Sequence, residues 1–600
     1  MLLTKHRPGV KCKAFAYWVA LNLNHQDAKA PSLIIGNTPE GSTLSCPWCL
    51  GVLVSWWFHW FTHKKSALDT RRVVRILPRM KILPVLILAT SISALADVRL
   101  PAIVSDNMVL LQDTKANVWG WAEAGEKVTV KLGDTSFSAT ADDKGRWSTK
   151  LEGLKPGLAG DMTVAGKNTL TVKNGAVGEV WLASGQSNME WIVKNAKDAE
   201  AEIAACNFPE LRVFTVAKKA SPTPLDDVAG KWAVATPENA PLFSAVGYYF
   251  SREVHKKLKV PLGLIHSSWG GTPVETWIPS SGMNSNPAFG DHWKKKQADY
   301  PQAKLAYDEL LKTHKEAAEK AKAEGAPAPR APRAPDGPND LFAAPMGLFN
   351  GMIAPLTPYT IRGALWYQGE SNAGFNNRGN MPLYAPLFAT MILSWRFEFA
   401  RAQNIPREES EFSFIFVQLA NYYPKREEPA DSYWAQIREA QLSTLEVPRT
   451  EMAVIIDLGE ANDIHPKNKQ DVGKRLALAA LAGTYFEETE YNGPIYGGMQ
   501  VEDGKIRLNF SHAEGLKAQD GGAIKGFAVA GEDKKFQWAE VTLEGDHVVV
   551  SSPGVPKPVA VRYGWADNPN CNLVNSANLP ASPFRTDKWE QNPPDGSAAK

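Results

Sequence analysis

The apolar run Val180-Trp181-Leu182-Ala183 leads, after one serine, into Gly185-Gln186-Ser187-Asn188-Met189. A short run of this composition predicts a buried strand. Gly185 permits a tight turn after that strand, and Ser187 then stands just before a helix, where the nucleophile of an esterase is expected. Backbone N–H groups after such a turn can face a carbonyl oxygen as it becomes negative. The stretch therefore predicts an α/β fold with a serine nucleophile at the end of a strand.

Around this stretch, strand candidates alternate with helix candidates. The alternation extends from about residue 177 to residue 490 and is typical of an α/β domain built in three layers. The helix candidates are Gly247–Lys259 and Ala435–Leu445. The remaining strand candidates of this region are Leu262–Ser267, Ile361–Trp366, Phe414–Gln418 and Met452–Ile456. We therefore predict a three-layer α/β/α catalytic domain over residues 177–490.

Two β-rich regions flank the predicted catalytic domain. Residues 97–176 contain short alternating segments such as Lys127–Leu132, and Asp142-Asp143-Lys144-Gly145 is typical of a hairpin turn. This pattern predicts a small β-sandwich. Residues 491–600 return to short β segments, and they predict a second β-rich domain. The strand candidates there are Lys505–Asn509, Gly526–Ala530, Gln537–Leu543 and His547–Ser551.

One insertion interrupts the catalytic region between residues 293 and 340. Residues 293–323 are rich in Lys, Ala and Glu, and a proline-rich segment follows from Ala326 to Pro338. We interpret the insertion as a surface helix with a mobile tail. A role in binding a partner is the alternative to a simple solvated face.

Composition excludes some classes of function. The chain has 600 residues, 22% of them charged, which describes an ordinary soluble protein of several domains. The net charge of +2 hides an asymmetry, because residues 1–96 carry 12 Lys and Arg against 3 Asp and Glu. The acidic remainder has no basic stripe that would favour nucleic acid. The 20 tryptophans hint at sugar binding.

The cysteines do not form a metal or redox motif of recognised context. Cys46 and Cys49 have redox spacing, but no strand–helix unit surrounds them. Cys206 and Cys571 are candidates for one disulfide in an oxidising compartment. Zinc-ligand spacing is absent from the sequence, and we expect neither a metal nor a cofactor.

The first ninety-six residues contain an export signal in an unusual place. Met80-Lys81, the apolar run Ile82–Ala89 and the ending Ala94-Leu95-Ala96 are typical of a signal peptide over residues 80–96. We interpret residues 1–79 as an artefactual or disordered leader, with translation beginning at Met80. The rival interpretation, a membrane anchor at Val52–Phe61, is shorter than the ~20 residues a spanning helix needs. A periplasmic or secreted protein, not associated with the membrane after cleavage, is expected.

A histidine and an aspartate near the end of the catalytic region complete a candidate triad. Asp463-Ile464-His465-Pro466 follows a strand candidate, where loops carry catalytic groups. His465 has the pKa that a base for Ser187 needs, and Asp463 would fix its tautomer. Asp457 and Glu460 are alternative acids. Each residue also has a non-catalytic alternative: a helix cap for Ser187, an ordinary loop histidine for His465 and a turn cap for Asp463.

Other residues are candidates for transition-state stabilisation and substrate contact. We predict that oxyanion donors come from the backbone N–H of Ser187, from Gly270 or Gly271 in Trp269-Gly270-Gly271-Thr272, and from the Gln368 side chain. For the two glycines a plain turn remains the alternative. Glu370 is interpreted as a structural hydrogen-bonding residue. The predicted substrate-binding residues, each also a candidate for the core, are Trp191, Trp269 and Trp366.

Five segments together resemble those of sialate O-acetylesterases. The resemblance covers about residues 98–590, including both β-rich regions. It implies a catalytic domain like that of the SGNH hydrolases, no metal, and release of acetate from sugar hydroxyls through an acyl-enzyme. The segments are Gly185–Met189, Trp366-Tyr367-Gln368-Gly369-Glu370-Ser371-Asn372, Asp463–Pro466, Leu100-Pro101 with Ser105-Asp106-Asn107-Met108-Val109-Leu110, and Ser268–Thr272.

The chain departs from the general SGNH plan at two positions. The acid Asp463 precedes His465 by two residues rather than three, and Gln368 stands where the wider superfamily uses an asparagine. The two departures therefore concern the triad acid, predicted as Asp463, and one oxyanion donor, predicted as Gln368.

The identity of the glycan is open at this level. An acetylxylan or other polysaccharide deacetylase would use the same chemistry, and a non-catalytic carbohydrate-binding protein is the rival outside enzymes. An arginine in the pocket would favour sialic acid, which carries a carboxylate. The available arginines are Arg362, Arg378 and Arg438.

Overall fold

A computed structural model describes residues 97–329, 331–373 and 379–591. All of these described residues belong to one compact unit. The predicted signal peptide at 80–96, the leader at 1–79 and Arg378 lie outside the described residues, as do the three N-terminal cysteines.

A largely parallel sheet forms the centre of the structure. Its strand order is β13-β12-β11-β7-β10-β8-β9, and all neighbours are parallel except the last pair, β8 and β9. Strands such as β11 and β12 are buried along their whole length, which explains their largely apolar sequences. The seven strands are β7 (Thr169–Gly185), β8 (Phe208–Val216), β9 (Gly230–Ala235), β10 (Leu262–Ser268), β11 (Gly363–Tyr367), β12 (Ser413–Gln418) and β13 (Thr450–Val454).

Helices connect these strands. Their limits follow local signals: α3 begins after Ser244, whose hydroxyl accepts a bond from the N–H of Gly247, and ends before Lys259 in the left-handed conformation. The described helices are α1 (Ser187–Glu190), α2 (Ala199–Ala204), α3 (Ala245–Leu258), α4 (Ser280–Met283), α5 (Asp291–Ala323), α6 (Tyr384–Gln403), α7 (Tyr433–Ser443) and α8 (Lys469–Gly483).

Tryptophans on neighbouring strands show that helices contact both faces of the sheet. Trp181 of β7 lies opposite Gly363 of β11, three residues before Trp366. Because side chains alternate along a strand, Trp181 and Trp366 point to opposite faces. Trp181 packs 5.0 Å from Phe250 of α3, and Trp366 packs 6.2 Å from Phe388 of α6, measured between ring centroids. Thus α3 and α6 lie on opposite sides.

The N-terminal β-rich region continues directly into the central sheet. Strand β7 is 17 residues long; its first half pairs with β6 and β1, and its second half pairs with β10 and β11. The boundary predicted at 176/177 therefore falls inside one strand, and a single apolar core extends across it. The other strands are β1 (Val109–Leu111), β2 (Ala116–Trp121), β3 (Lys127–Leu132), β4 (Thr135–Thr140), β5 (Arg146–Leu151) and β6 (Gly157–Ala165).

The C-terminal β-rich region has an apolar core of its own, which includes Ile506, Phe527 and Val550. The predicted segment Gln537–Leu543 is divided between two short strands, β18 and β19, in different sheets. The strands are β14 (Ile495–Glu502), β15 (Lys505–Ser511), β16 (Lys517–Ala518), β17 (Phe527–Ala530), β18 (Gln537–Trp538), β19 (Glu540–Glu544), β20 (His547–Ser551), β21 (Ala560–Tyr563), β22 (Leu573–Val574) and β23 (Phe584–Arg585).

The insertion forms the long helix α5, which buries none of its side chains completely. The proline-rich segment contacts this helix: the His314 ring is 2.9 Å from the carbonyl oxygen of Pro329, and Lys296 pairs with Asp336 at 3.0 Å. The helical part of the insertion is thus present as predicted.

Two further expectations concern cysteines and membranes. Cys206 and Cys571 are both free thiols, so the candidate disulfide between them does not form. Within residues 97–329, 331–373 and 379–591, every helix is too short or too polar to cross a bilayer.

Candidate active site

The turn before Ser187 depends on a glycine. Gly185 ends β7 with φ of +134°, and a Cβ atom there would lie 2.2 Å from the carbonyl oxygen of Tyr367. The N–H of Gln186 donates to that same oxygen at 2.9 Å. Ser187 is then the first residue of α1. Ser187 thus stands between a strand and a helix, as the sequence predicts, and the close approach of β11 to the turn fixes its position.

His465 meets the serine hydroxyl. Its Nε2 atom is 2.8 Å from Ser187 Oγ, although the two residues are 278 positions apart in sequence. Burial, followed by the positive charge of Lys469, lowers the pKa of His465 below its ordinary value. A neutral imidazole at this distance is able to accept the hydroxyl proton. The structure therefore brings together the nucleophile and the base that the motifs predicted.

Asp463 lies beside His465 but at a longer distance than a hydrogen bond. Its Oδ1 atom is 3.7 Å from His465 Nδ1, and the same oxygen accepts the backbone N–H of His465 at 2.9 Å. The Asp463 side chain is 40% exposed. In this structure Asp463 therefore stabilises the loop that carries His465 and acts on the imidazole through its charge.

The two alternative acids are engaged elsewhere. Asp457 forms a bidentate pair with Arg475, at 2.6 and 2.7 Å. Glu460 accepts the backbone N–H of Lys467 at 2.9 Å. Among the three acids that the sequence offered, Asp463 is the one whose carboxylate pairs with the ring of His465.

Gly270 lies against Ser187, but its N–H is already bonded. A Cβ atom at Gly270 would be 3.1 Å from Ser187 Cβ, so the loop after β10 approaches the serine closely. The N–H of Gly270 donates to Glu190 Oε2 at 2.7 Å, and Glu190 Oε1 accepts from Lys218 at 2.5 Å. Gly271 follows with φ of +72°. The predicted donor is thus near the site and is occupied by Glu190 in this state.

The predicted oxyanion donor Gln368 is not available. Its side chain is completely buried, and its Nε2 atom donates to the carbonyl oxygen of Thr272 at 3.2 Å and to Asn372 Oδ1 at 2.7 Å. Its Oε1 atom accepts from the Tyr384 hydroxyl at 3.1 Å. Both amide hydrogens are therefore used within the protein. Gln368 supports the loop after β11, and its prediction as an oxyanion donor is not supported.

The three predicted substrate-binding tryptophans have different environments. The Trp191 ring stacks on the imidazole of His465, with centroids 5.0 Å apart, and is half-buried. Trp269 is also half-buried and stacks on Phe342 at 5.9 Å. Trp366 has no exposed surface and packs between α6 and the sheet. The first two rings keep exposed surface, whereas Trp366 belongs to the core and its predicted substrate contact is not supported.

The sequence motifs did not reveal the buried polar cluster behind Ser187. Lys469, the first residue of α8, donates to Asn188 Oδ1 at 2.5 Å, and Asn188 Nδ2 donates to Glu370 Oε1 at 2.6 Å. Glu370 is thus a hydrogen-bonding residue, as interpreted. The one signal for Lys469 is its position just after the helix cap Asn468, four residues beyond His465.

Two arginines proposed as partners of a substrate carboxylate are committed to the fold. Arg362 pairs with the buried carboxylate of Glu179 at 2.8 Å. Arg438 is completely buried and donates to backbone carbonyl oxygens, including that of Leu419 at 2.8 Å. Neither is placed to bind a ligand at Ser187. Lys218 pairs with Glu190, three residues after Ser187, at 2.5 Å.

No cluster of three or more His, Cys, Asp or Glu side chains suited to a metal ion occurs among residues 97–329, 331–373 and 379–591.

Comparisons with known proteins find relatives described as sialic acid-specific or sialate O-acetylesterases. Residues 346–482 match the family described as carbohydrate esterase, sialic acid-specific acetylesterase. The sialate O-acetylesterase of Pongo abelii is 30% identical over 557 residues, which cover 85% of this chain and 96% of the relative. The human sialate O-acetylesterase is also 30% identical and is covered to 96% of its length, with 85% of this chain.

A solved structure supports the same relationship. The crystal structure of a carbohydrate acetylesterase from Xanthomonas citri is 36% identical and superposes with a TM-score of 0.69. The match covers 82% of this chain and the whole of that protein. The fold, the Ser–His geometry and these relatives agree. The chain belongs to the sialate O-acetylesterase family and is a carboxylic ester hydrolase of this kind.

Proposed function

We propose that this protein is an exported serine esterase that removes O-acetyl groups from sialic acid or a related acetylated sugar through an acyl-enzyme. The main support for this proposal is the 2.8 Å contact between Ser187 Oγ and His465 Nε2, just after the end of β7. We also assign the central sheet and its helices to the three-layer SGNH arrangement. The topology supports this assignment, with the serine at the end of a parallel strand and helices on both faces.

The proposed reaction has two halves. Ser187 Oγ attacks the acetyl carbonyl carbon while its proton passes to His465 Nε2. The bond between the carbonyl carbon and the sugar oxygen then breaks, and that oxygen takes the proton from His465. Water attacks the acetyl-serine with His465 again accepting a proton. The ester bond to Ser187 then breaks to release acetate, and Ser187 Oγ takes the proton back from His465. The charge of Asp463 stabilises the imidazolium in both halves.

The oxyanion requires donors in both halves. We assign the backbone N–H of Ser187 and the Gly270–Gly271 loop to this role. Because Glu190 holds the N–H of Gly270 in this structure, the assignment requires that the Glu190 carboxylate moves when the ester binds. The exposure of the Glu190 side chain, 34%, is consistent with such a movement.

The substrate and the location are also part of the proposal. The similarity to sialate O-acetylesterases favours an acetylated sialic acid, whereas other acetylated glycans fit the same chemistry. Trp191 and Trp269 offer half-buried rings on which a sugar can pack. Export to the periplasm or the medium is supported by the pattern of residues 80–96, and we expect the exported chain to begin near Asp97.

The test is acetate release by the full-length protein beside its Ser187→Ala variant. The substrates are a 9-O-acetylated sialoside, acetylated xylan and 4-nitrophenyl acetate. The proposal expects activity that is lost in Ser187→Ala and a preference for the sialoside. Activity that survives this substitution would refute the serine mechanism, and a preference for xylan would refute the sialate assignment. The mass of the exported product tests cleavage near Asp97.

A further inference from the structure

Three polar residues form a buried cluster directly behind the nucleophile. Lys469 is 0% exposed, Asn188 is 1% exposed and Glu370 is 3% exposed. Burying a charge is costly unless it is hydrogen-bonded and compensated. In this cluster the ammonium and the carboxylate bond to opposite ends of one amide, and their opposite charges partly compensate each other. Such an arrangement needs an explanation beyond packing, because apolar residues would fill the space at lower cost.

The cluster fixes the orientation of the Asn188 amide. Lys469 Nζ donates to Oδ1, so this end must be the oxygen. The Nδ2 atom donates to Glu370 Oε1 at 2.6 Å and to the carbonyl oxygen of Ile464 at 3.0 Å. A reversed amide would place its NH₂ group against the ammonium and its oxygen against two acceptors. Lys469 and Glu370 therefore permit one orientation only.

The oriented amide joins the two segments that carry the reacting groups. Asn188 follows Ser187 directly, and Ile464 directly precedes His465. The bond from Asn188 to Ile464 thus ties the α1 segment to the histidine loop beside the contact between the serine and the histidine. We propose that Lys469 is a positioning residue for ester hydrolysis, acting through Asn188 to hold Ser187 and His465 in register. This inference rests on the proposed serine mechanism.

The charge of Lys469 also acts on the imidazole. The Trp191 ring stacks on His465 and has its centroid 5.9 Å from Lys469 Nζ. Burial lowers the pKa of His465, Lys469 lowers it further, and Asp463 and Glu190 raise it. Lys469 itself is faced by Glu370, Asp463 and Glu460, and its burial lowers its own pKa to about 7.

The sign of this effect follows from the charges. Below its pKa the Lys469 ammonium opposes a second positive charge on His465, which keeps the imidazole neutral at lower pH. A neutral replacement at position 469 removes that opposition and raises the pKa of His465. The acidic limb of the pH profile then moves to higher pH. A lysine that only filled space in the core would leave this limb in place.

The experiment compares Lys469→Met with Lys474→Met, an exposed lysine on the same helix. Hydrolysis of 4-nitrophenyl acetate is measured from pH 5 to pH 9, with thermal unfolding of each variant as the control for folding. For Lys469→Met we expect kcat to fall by about 10- to 100-fold with KM within about threefold, as for a small misplacement of reacting groups. The acidic limb moves to higher pH. Lys474→Met matches the wild type.

A double-mutant cycle tests the route through Asn188. If Lys469 acts through this amide, the variant that combines Lys469→Met with Asn188→Leu is no slower than the slower single variant. Effects on kcat that multiply would overturn the inference. Lys469→Gln, which keeps a donor without the charge, replaces Lys469→Met if the latter does not fold.

The outcome separates this inference from the proposed function. If Ser187→Ala is inactive while Lys469→Met keeps its kcat and its acidic limb, the positioning role is overturned and the serine mechanism stands. If Ser187→Ala remains active, both are overturned.

Discussion

Asp463→Asn isolates the contribution of the candidate triad acid. The asparagine has the same shape, and its oxygen still accepts the backbone N–H of His465, the bond that Asp463 Oδ1 makes at 2.9 Å. The loop should therefore keep its conformation, while the negative charge next to the imidazole is lost. Activity then reports the electrostatic contribution of Asp463 alone.

The distance sets the size of the expected effect. For charges 3.7 Å apart, the Coulomb energy is about 1 kcal/mol at a dielectric constant of 80 and about 4.5 kcal/mol at 20. Since the Asp463 side chain is 40% exposed, solvent screening brings the value toward the lower limit. A loss of about 1–2 kcal/mol in stabilising the imidazolium corresponds to roughly a 5- to 30-fold lower kcat/KM. Loss of a hydrogen-bonded triad aspartate costs about 10⁴-fold.

The assay is kcat/KM for 4-nitrophenyl acetate as a function of pH. Asp463 raises the pKa of His465, so Asp463→Asn lowers it and moves the acidic limb to lower pH, opposite to Lys469→Met. Glu460→Gln, in the same loop, serves as the control and should match the wild type. A loss of 10³-fold or more in Asp463→Asn would refute the reasoning, because it would require a hydrogen bond that this geometry does not contain.

Three other substitutions test the site and its support. Gly185→Ala places a methyl group 2.2 Å from the carbonyl oxygen of Tyr367 at φ of +134°; we expect a loss of at least about 3 kcal/mol in urea unfolding, and near-normal stability would contradict the role of the turn. Trp366→Leu should cost about 2–3 kcal/mol of stability and leave KM within twofold, whereas a large rise in KM would restore it as a substrate contact. Trp191→Leu removes the ring stacked on His465 and should lower kcat/KM with a change of less than about 1 kcal/mol in unfolding; unchanged kinetics would contradict this.

The strands and the Ser–His pair could be predicted from sequence because both follow local rules. Buried parallel strands appear as continuous apolar runs, and loops at their carboxyl ends carry reacting groups. The predicted strand Leu262–Ser267 differs from β10 by one residue. Ser187 and His465 each end such a run or follow it closely, and β7 and β13 belong to the same parallel sheet, in which β11 and β12 lie between them.

Burial of single polar side chains could not be predicted in the same way. Gln368 and Trp366 belong to one motif with Glu370, but their exposure depends on which helix covers each face and on partners distant in sequence, such as Tyr384 for Gln368. Lys469 stands in the first turn of a helix, where a lysine is ordinarily solvated. Its side chain is buried against Asn188, which lies 281 residues earlier in the sequence.

The shared strand β7 has a consequence for domain exchange, both in evolution and in protein engineering. Its first half closes the N-terminal β-rich region and its second half delivers Ser187. Removal of residues before 177 would cut a continuous ladder and open part of a common core. The N-terminal region is therefore a fixed part of the esterase, unlike a module that recombination can exchange. We expect a domain swap at this junction to yield insoluble protein, because the exchanged part would lack the strand that completes its core.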